Sequence, residues 1–153
     1  MRDPAKEYRE SAVRGASPVG LIVILYEEIV RSLHRAHRAV RRNDIEQRTL
    51  ALTHAIKVIG HLQGILDMGH GGSVARNLSR FYSVMRAKIL EANVQSNPET
   101  LELLAREFSG MVEAWRRVDE AVCGEKAAAE RTGTAATAIA INRSRLQGLL
   151  AER

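Results

Sequence analysis

Residues 17–42 read SPVGLIVILYEEIVRSLHRAHRAVRR, and this stretch decides the fold. Ser17 followed by Pro18 is an N-cap with proline at the first helical position, where its missing N–H costs nothing. Apolar residues then recur at spacings of three and four, at Ile22, Leu25, Ile29, Leu33, Ala36 and Val40. That is the period of an α-helix with one buried face, and it predicts a helix from Pro18 to about Arg41. A second apolar stripe, Val19, Val23, Tyr26 and Val30, lies beside the first and widens the face past a narrow seam.

The same punctuation recurs downstream. Asn43-Asp44 supplies a cap, Glu46 sits favourably in the first turn, and Ile45, Leu52, Ile56, Ile59 and Leu66 continue to about Met68, before Gly69. This helix also carries a second apolar set, Val58, Leu62 and Ile65. Gly69 to Gly72 reads as a loop, and Ser73 as the cap of a helix ending near Asn93, with Leu78, Tyr82, Met85, Ile89 and Ala92 inward. Asn97-Pro98-Glu99 opens a last helix whose stripe is Leu101, Leu104, Phe108, Met111, Trp115, Val118 and Val122, predicted to stop at Gly124. Four helices on short loops predict an all-α, antiparallel up-down four-helix bundle. The expected organisation is an N-terminal leader over 1–16, a bundle over 17–124, and a flexible C-terminal tail over 125–153. In that tail Ile139, Leu146, Leu149 and Leu150 can share one face of a short helix.

Composition narrows the class. With 153 residues, 45% of them apolar and 27% charged, the chain suits one domain with a real core. Three prolines and 4% aromatics favour long helices over a β fold. A single cysteine, Cys123, forms no internal disulfide, which points to a reducing compartment. The charged first ten residues lack the apolar core of a signal peptide, and the longest apolar run, residues 21–26, is too short to span a bilayer. A cytoplasmic protein is expected. The net charge of +5 is modest, because acidic residues are interspersed with the basic ones.

The two extra stripes are the functional signal. Exposed apolar patches mark partner sites, so Val19, Val23, Tyr26, Val30, Val58, Leu62 and Ile65 are the candidate binding groove. Two alternatives stay open: the wide faces are simply the interior of a well-packed bundle, or the leader or tail covers them.

The residues also carry a family resemblance. Tyr8, Val13, Ala16-Ser17-Pro18, Leu21-Ile22 and Leu25-Tyr26-Glu27 resemble the start of the FliS family of flagellin-specific export chaperones. Leu66-Asp67, Gly72, Ala75, Asn77-Leu78, Tyr82, Met85 and Leu90-Glu91-Ala92-Asn93 follow in the family's order, then Met111 and Trp115, so the resemblance covers about residues 6–122. It implies a four-helix bundle in the cytosol of a flagellated bacterium. Such a bundle binds the disordered C-terminal segment of flagellin, prevents premature polymerisation and assists export. It further implies a leader that switches, here Tyr8, Val13 and the junction residue Leu21, and additional export-gate or regulatory partners. Whether the chain is a monomer or homodimer is left open. Departures are Glu28, where the family commonly has glycine, Gly69-His70, where acidic residues are common, and a longer tail.

Catalysis is not expected, nor is a cofactor or metal. No Glu-x-x-His pair of a di-iron bundle occurs. His34 and His37, His54 and His61, and Asp67 with His70 read as boundary or loop residues. No Gly-Lys-Ser/Thr follows the glycine loop, so it is no phosphate cradle. The alternative function is a basic nucleic-acid-binding helical bundle, using Arg31, Arg35, Arg38, Arg41 and Arg42 as a ridge. A solvated outer face is preferred, with no nucleic acid and no membrane insertion, because aromatic interleaving and helix-turn-helix punctuation are missing.

Overall fold

The structure, a computed structural model, describes residues 3–132. Five helices follow in order: α1 Pro4–Gly15, α2 Pro18–Arg41, α3 Ile45–Gly64, α4 Gly72–Gln95 and α5 Pro98–Thr132. Helices α2 to α5 form a closed antiparallel ring in which each packs on the next and α5 returns to α2. Cross-helix bonds fix the antiparallel sense: Arg48 at the start of α3 reaches Asn93 near the end of α4, and Gln63 at the end of α3 reaches Ser79 and Ser83 early in α4. The four-helix bundle is thus the architecture predicted from the periodicity.

The caps show why the elements begin where they do. The Ser17 hydroxyl oxygen accepts the Gly20 N–H at 2.9 Å, and the same hydroxyl donates to Asp119 of α5. A Cβ at Gly20 would stand 3.1 Å from that oxygen, so the glycine leaves room for this joint between helix start and neighbour. Asp44 caps α3 by accepting the Gln47 N–H at 3.0 Å, and Asn97 accepts from Glu99 and Thr100 at the start of α5.

The leader, for which the sequence set no secondary structure, is largely a helix, α1. Three boundaries differ from expectation. Helix α3 ends at Gly64, a turn before Met68, because the Asp67 carboxylate accepts the backbone N–H of Gly69 and of His70. That local turn competes with continued helix. Ser73 is not a cap: α4 starts at Gly72, whose φ of +56° suits glycine, and no side chain caps it. Helix α5 passes through Gly124 to Thr132. The following Glu-Lys-Ala-Ala-Ala-Glu run consists of strong helix formers, which offset a cost of about 1 kcal/mol for one interior glycine. The proposed tail helix, with Ile139, Leu146, Leu149 and Leu150, lies outside the described residues.

Helix α2 is the centre of the packing. Its contacts with α5 and α3 are the most extensive in the bundle, while α4 and α5 meet over a shorter length. Both of its apolar stripes are consequently interior. At one level of the core Tyr26 touches Tyr82, Phe108 and Trp115, with ring centroids 5.8 to 6.3 Å apart. Phe81 extends this aromatic cluster onto Tyr82 and Phe108. Within it the Tyr26 hydroxyl donates to the Tyr82 hydroxyl at 2.7 Å, satisfying two polar groups that burial would otherwise orphan. Burial pushes the Tyr26 phenol up to about 12, against the lowering effect of its Tyr82 and Trp115 neighbours, and raises Tyr82 further.

Tyr26→Phe and Tyr82→Phe should each destabilise by roughly 1–3 kcal/mol, because each leaves the other hydroxyl buried and alone. The double substitution should cost less than the sum of the singles in urea unfolding followed by far-UV circular dichroism. Additive losses would mean that the two hydroxyls are not coupled.

Candidate functional site

The structure places six of the seven groove candidates inside the bundle. Val19, Val23, Tyr26, Val58, Leu62 and Ile65 are all buried, none more than 8% exposed. The reason is geometric: α2 lies between α3 and α5, so a second stripe on α2 or α3 faces a neighbouring helix and not water. Of the seven, Val30 is half-buried and lines an open cleft of about 290 Å³ between α2 and α5, shared with Glu27, Ser109, Val112, Glu113 and Arg116. Leu62 and Ile65 also border a crevice of only about 10 Å³ beside Tyr82 and Trp115, too small for a side chain. Among the leader positions, Leu21 is buried. The side chains of Tyr8 and Val13 lie outside the described residues.

Open apolar surface exists elsewhere, at positions the core periodicity does not reach. On α4, Val74, Val84, Leu90 and Val94 are exposed, Val94 at 86%. Ile45 on α3 is 67% exposed and Leu50 57%. Met68 in the α3–α4 loop and Leu103 and Val118 of α5 are exposed as well. Leu90 and Val94 are four residues apart and share a face of α4. They flank Asn93, which accepts a hydrogen bond from Arg48 of α3 at 3.1 Å, so this face borders the α3 edge that bears Ile45 and half-buried Ile56. Leu50, Val84, Leu90, Val94 and Leu103 are large apolar residues out of phase with the inward stripes, whereas Ile45 and Val118, placed inward by the periodicity, stand exposed near the ends of the packed length of α3 and α5.

Among the described residues, one charged side chain is buried. Glu28, 6% exposed, receives Arg31 through Nε at 3.1 Å and Nη2 at 2.8 Å, with Arg35 at 3.4 Å and His54 Nε2 at 3.0 Å. Arg35 also donates to the buried Ser32 hydroxyl at 2.9 Å. Burial by itself would raise the Glu28 carboxyl, but the bonds and charges of Arg31 and His54 outweigh it and hold the group below the usual carboxylate range. The residue that departs from the family pattern is therefore a clamp between α2 and α3.

The remaining candidate chemistry is dispersed. His70 Nδ1 lies 3.0 Å from Asp67 in the exposed loop, and backbone and side-chain bonds from His70 lower the Asp67 carboxyl. Among the described residues, no three His, Cys, Asp or Glu side chains gather as a metal site. Nor is any described helix long and apolar enough to cross a membrane. The Arg ridge of α2 divides: Arg31 and Arg35 turn to Glu28, while Arg38 and Arg42 line a cleft against α3.

Comparison with known proteins adds the following. Residues 1–122 match the family described as "Flagellar protein FliS". The chain is 34% identical over 110 residues to the flagellar secretion chaperone FliS of Salmonella typhimurium, covering 71% of this chain and 82% of that protein. It is likewise 34% identical over 111 residues to that of Campylobacter jejuni, covering 72% and 87%. Similarity extends at 20% identity over 117 residues to the Bacillus subtilis protein.

Because the Glu28 pKa is lowered in the folded chain, its contribution to stability is present above about pH 4.3, the ordinary glutamate value. It is lost as pH falls from there through the lowered value. Glu28→Gln should cost roughly 1–2 kcal/mol at neutral pH and flatten the acid limb of urea stability measured against pH. An unchanged acid limb would show that the clamp carries no linked proton.

Proposed function

This chain belongs to the FliS family of flagellar proteins, and from that premise we propose that it binds the disordered C-terminal segment of flagellin. In this reading it prevents premature polymerisation and hands the subunit to the flagellar export apparatus. Its proposed place is the cytosol of a flagellated bacterium, and its action is non-enzymatic, as befits relatives that are named secretion chaperones. The observation that carries the reading is the set of large apolar side chains left on the outside of α3 and α4. An unfolded client has no fixed shape to match a small polar pocket. Amphipathic segments dock instead on elongated apolar surface, and the area must be large enough to offset ordering.

In this reading the client meets Ile45, Leu90 and Val94 with half-buried Ile56, and separately the Val30 cleft between α2 and α5; their exposure supports it. Burying each such side chain contributes roughly 1.5–3 kcal/mol. The buried second stripes serve the core in this reading and meet no client. The leader is the proposed switch. Helix α1 ends at Gly15, two residues before Ser17, and Ser17 is tied to α5 through Asp119. The leader can therefore swing about residues 15–16 while α2 stays anchored.

Leu90→Asp combined with Val94→Asp should keep the helical signal and the unfolding midpoint, since both positions are solvent-facing. It should weaken binding of a labelled flagellin C-terminal segment by more than about tenfold in fluorescence anisotropy. Leu62→Asp should instead unfold the bundle. Full affinity in the Leu90/Val94 variant removes this surface from the mechanism. Deleting residues 1–15 should speed flagellin association in stopped flow, and an unaltered rate would leave the leader without a gating role.

A further inference from the structure

A cleft of about 450 Å³ opens between the C-terminal half of α2 and the N-terminal half of α3, away from the Leu90/Val94 face. Arg35, Arg38 and Arg42 line one wall, His54 and Leu50 the other, and Ala39 and Ala51 form a small-residue floor. We propose that this cleft is a second docking site, one that takes an acidic peptide segment of a protein partner other than the flagellin client.

Four features point to that chemistry. First, Arg35 and Arg38 of α2 and Arg42, the cap residue just past its end, stand three and four residues apart, a ladder roughly 10 Å long at 1.5 Å per residue. A ladder matches carboxylates spaced along a peptide better than a single compact anion, which needs donors that converge. Second, like charges at this spacing repel one another. Arg38 and Arg42 form no ion pair among the described residues, so an acidic ligand relieves that repulsion. Third, one end of the ladder is already ordered: Glu28 and Ser32 hold the Arg35 guanidinium, and Glu28 holds His54 opposite it. Side chains fixed before binding lose less freedom when they bind. Fourth, Leu50, 57% exposed at the cleft edge, offers an apolar contact that a peptide side chain can use. A nucleic-acid strand fits less well. No aromatic residue lines the cleft for base stacking. Asp44, on the lining beside Arg42, caps α3 and leaves the three arginines in excess over the one carboxylate there.

The test uses the full chain and a fluorescein-labelled helical peptide of about 15 residues, bearing one leucine and three glutamates spaced four and three apart to match the ladder. The expected result is saturable binding that weakens with salt, falls at least about tenfold in the Arg38→Glu/Arg42→Glu variant, and vanishes when the glutamates become glutamines. Both arginines are exposed, so circular dichroism should show that variant folded. It should bind the flagellin segment as the parent does, and the Leu90→Asp/Val94→Asp variant should bind the acidic peptide as the parent does. The two surfaces thus fail separately. No binding of the glutamate peptide, equal binding of its glutamine counterpart, or an unchanged affinity in the arginine variant overturns the proposal. So does tighter binding of a single-stranded oligonucleotide at the same arginines, or joint loss of both ligands in the arginine variant.

Discussion

The fold depends on the breadth of the apolar face of α2, widest in its N-terminal half. A helix at the edge of a bundle needs one stripe, but α2 is enclosed by α3 on one side and α5 on the other. Val19, Ile22, Val23, Leu25, Tyr26, Ile29 and Leu33 are all buried as a result. The neighbours inherit their registers from it: Tyr82 of α4 and Phe108 and Trp115 of α5 reach the level set by Tyr26. Most helical stability in proteins comes from such tertiary packing and not from local propensity.

That enclosure makes the one buried charge notable. Desolvating a carboxylate is costly unless its oxygens are fully engaged. Glu28 meets this condition through Arg31 and Arg35 on its own helix and His54 across the interface, which also fixes the relative position of α2 and α3. The same ties orient Arg35 toward the open cleft beyond. A structural device and a surface feature thus share one carboxylate.

Outside the ring, the distribution of apolar residues separates holding the bundle together from meeting a client. Most residues in phase with the inward stripes are closed off, and those out of phase, such as Leu90 and Val94, remain in water, as does Ile45 at the first position of α3. Under the proposed reading this division lets the core stay closed while the outside offers the contact area that ordering an unfolded client requires.

The four bundle helices, the caps at Ser17, Asp44 and Asn97, and the family were legible along the chain, because periodicity and caps are local properties that neighbouring residues spell out. The sequence also marked the aromatic core residues Tyr82, Phe108 and Trp115 by their place on the stripes. What it left open was which side of a doubly apolar helix meets water. That question has no local answer: periodicity gives the angle of a side chain about its own axis, but only the positions of α3 and α5 say whether that angle points at solvent or at another helix. The tertiary structure therefore decided that Val23 and Leu62 are core, that Leu90 and Val94 are surface, and that Glu28, Arg35 and His54 meet, residues from two helices that no single stretch of sequence places together.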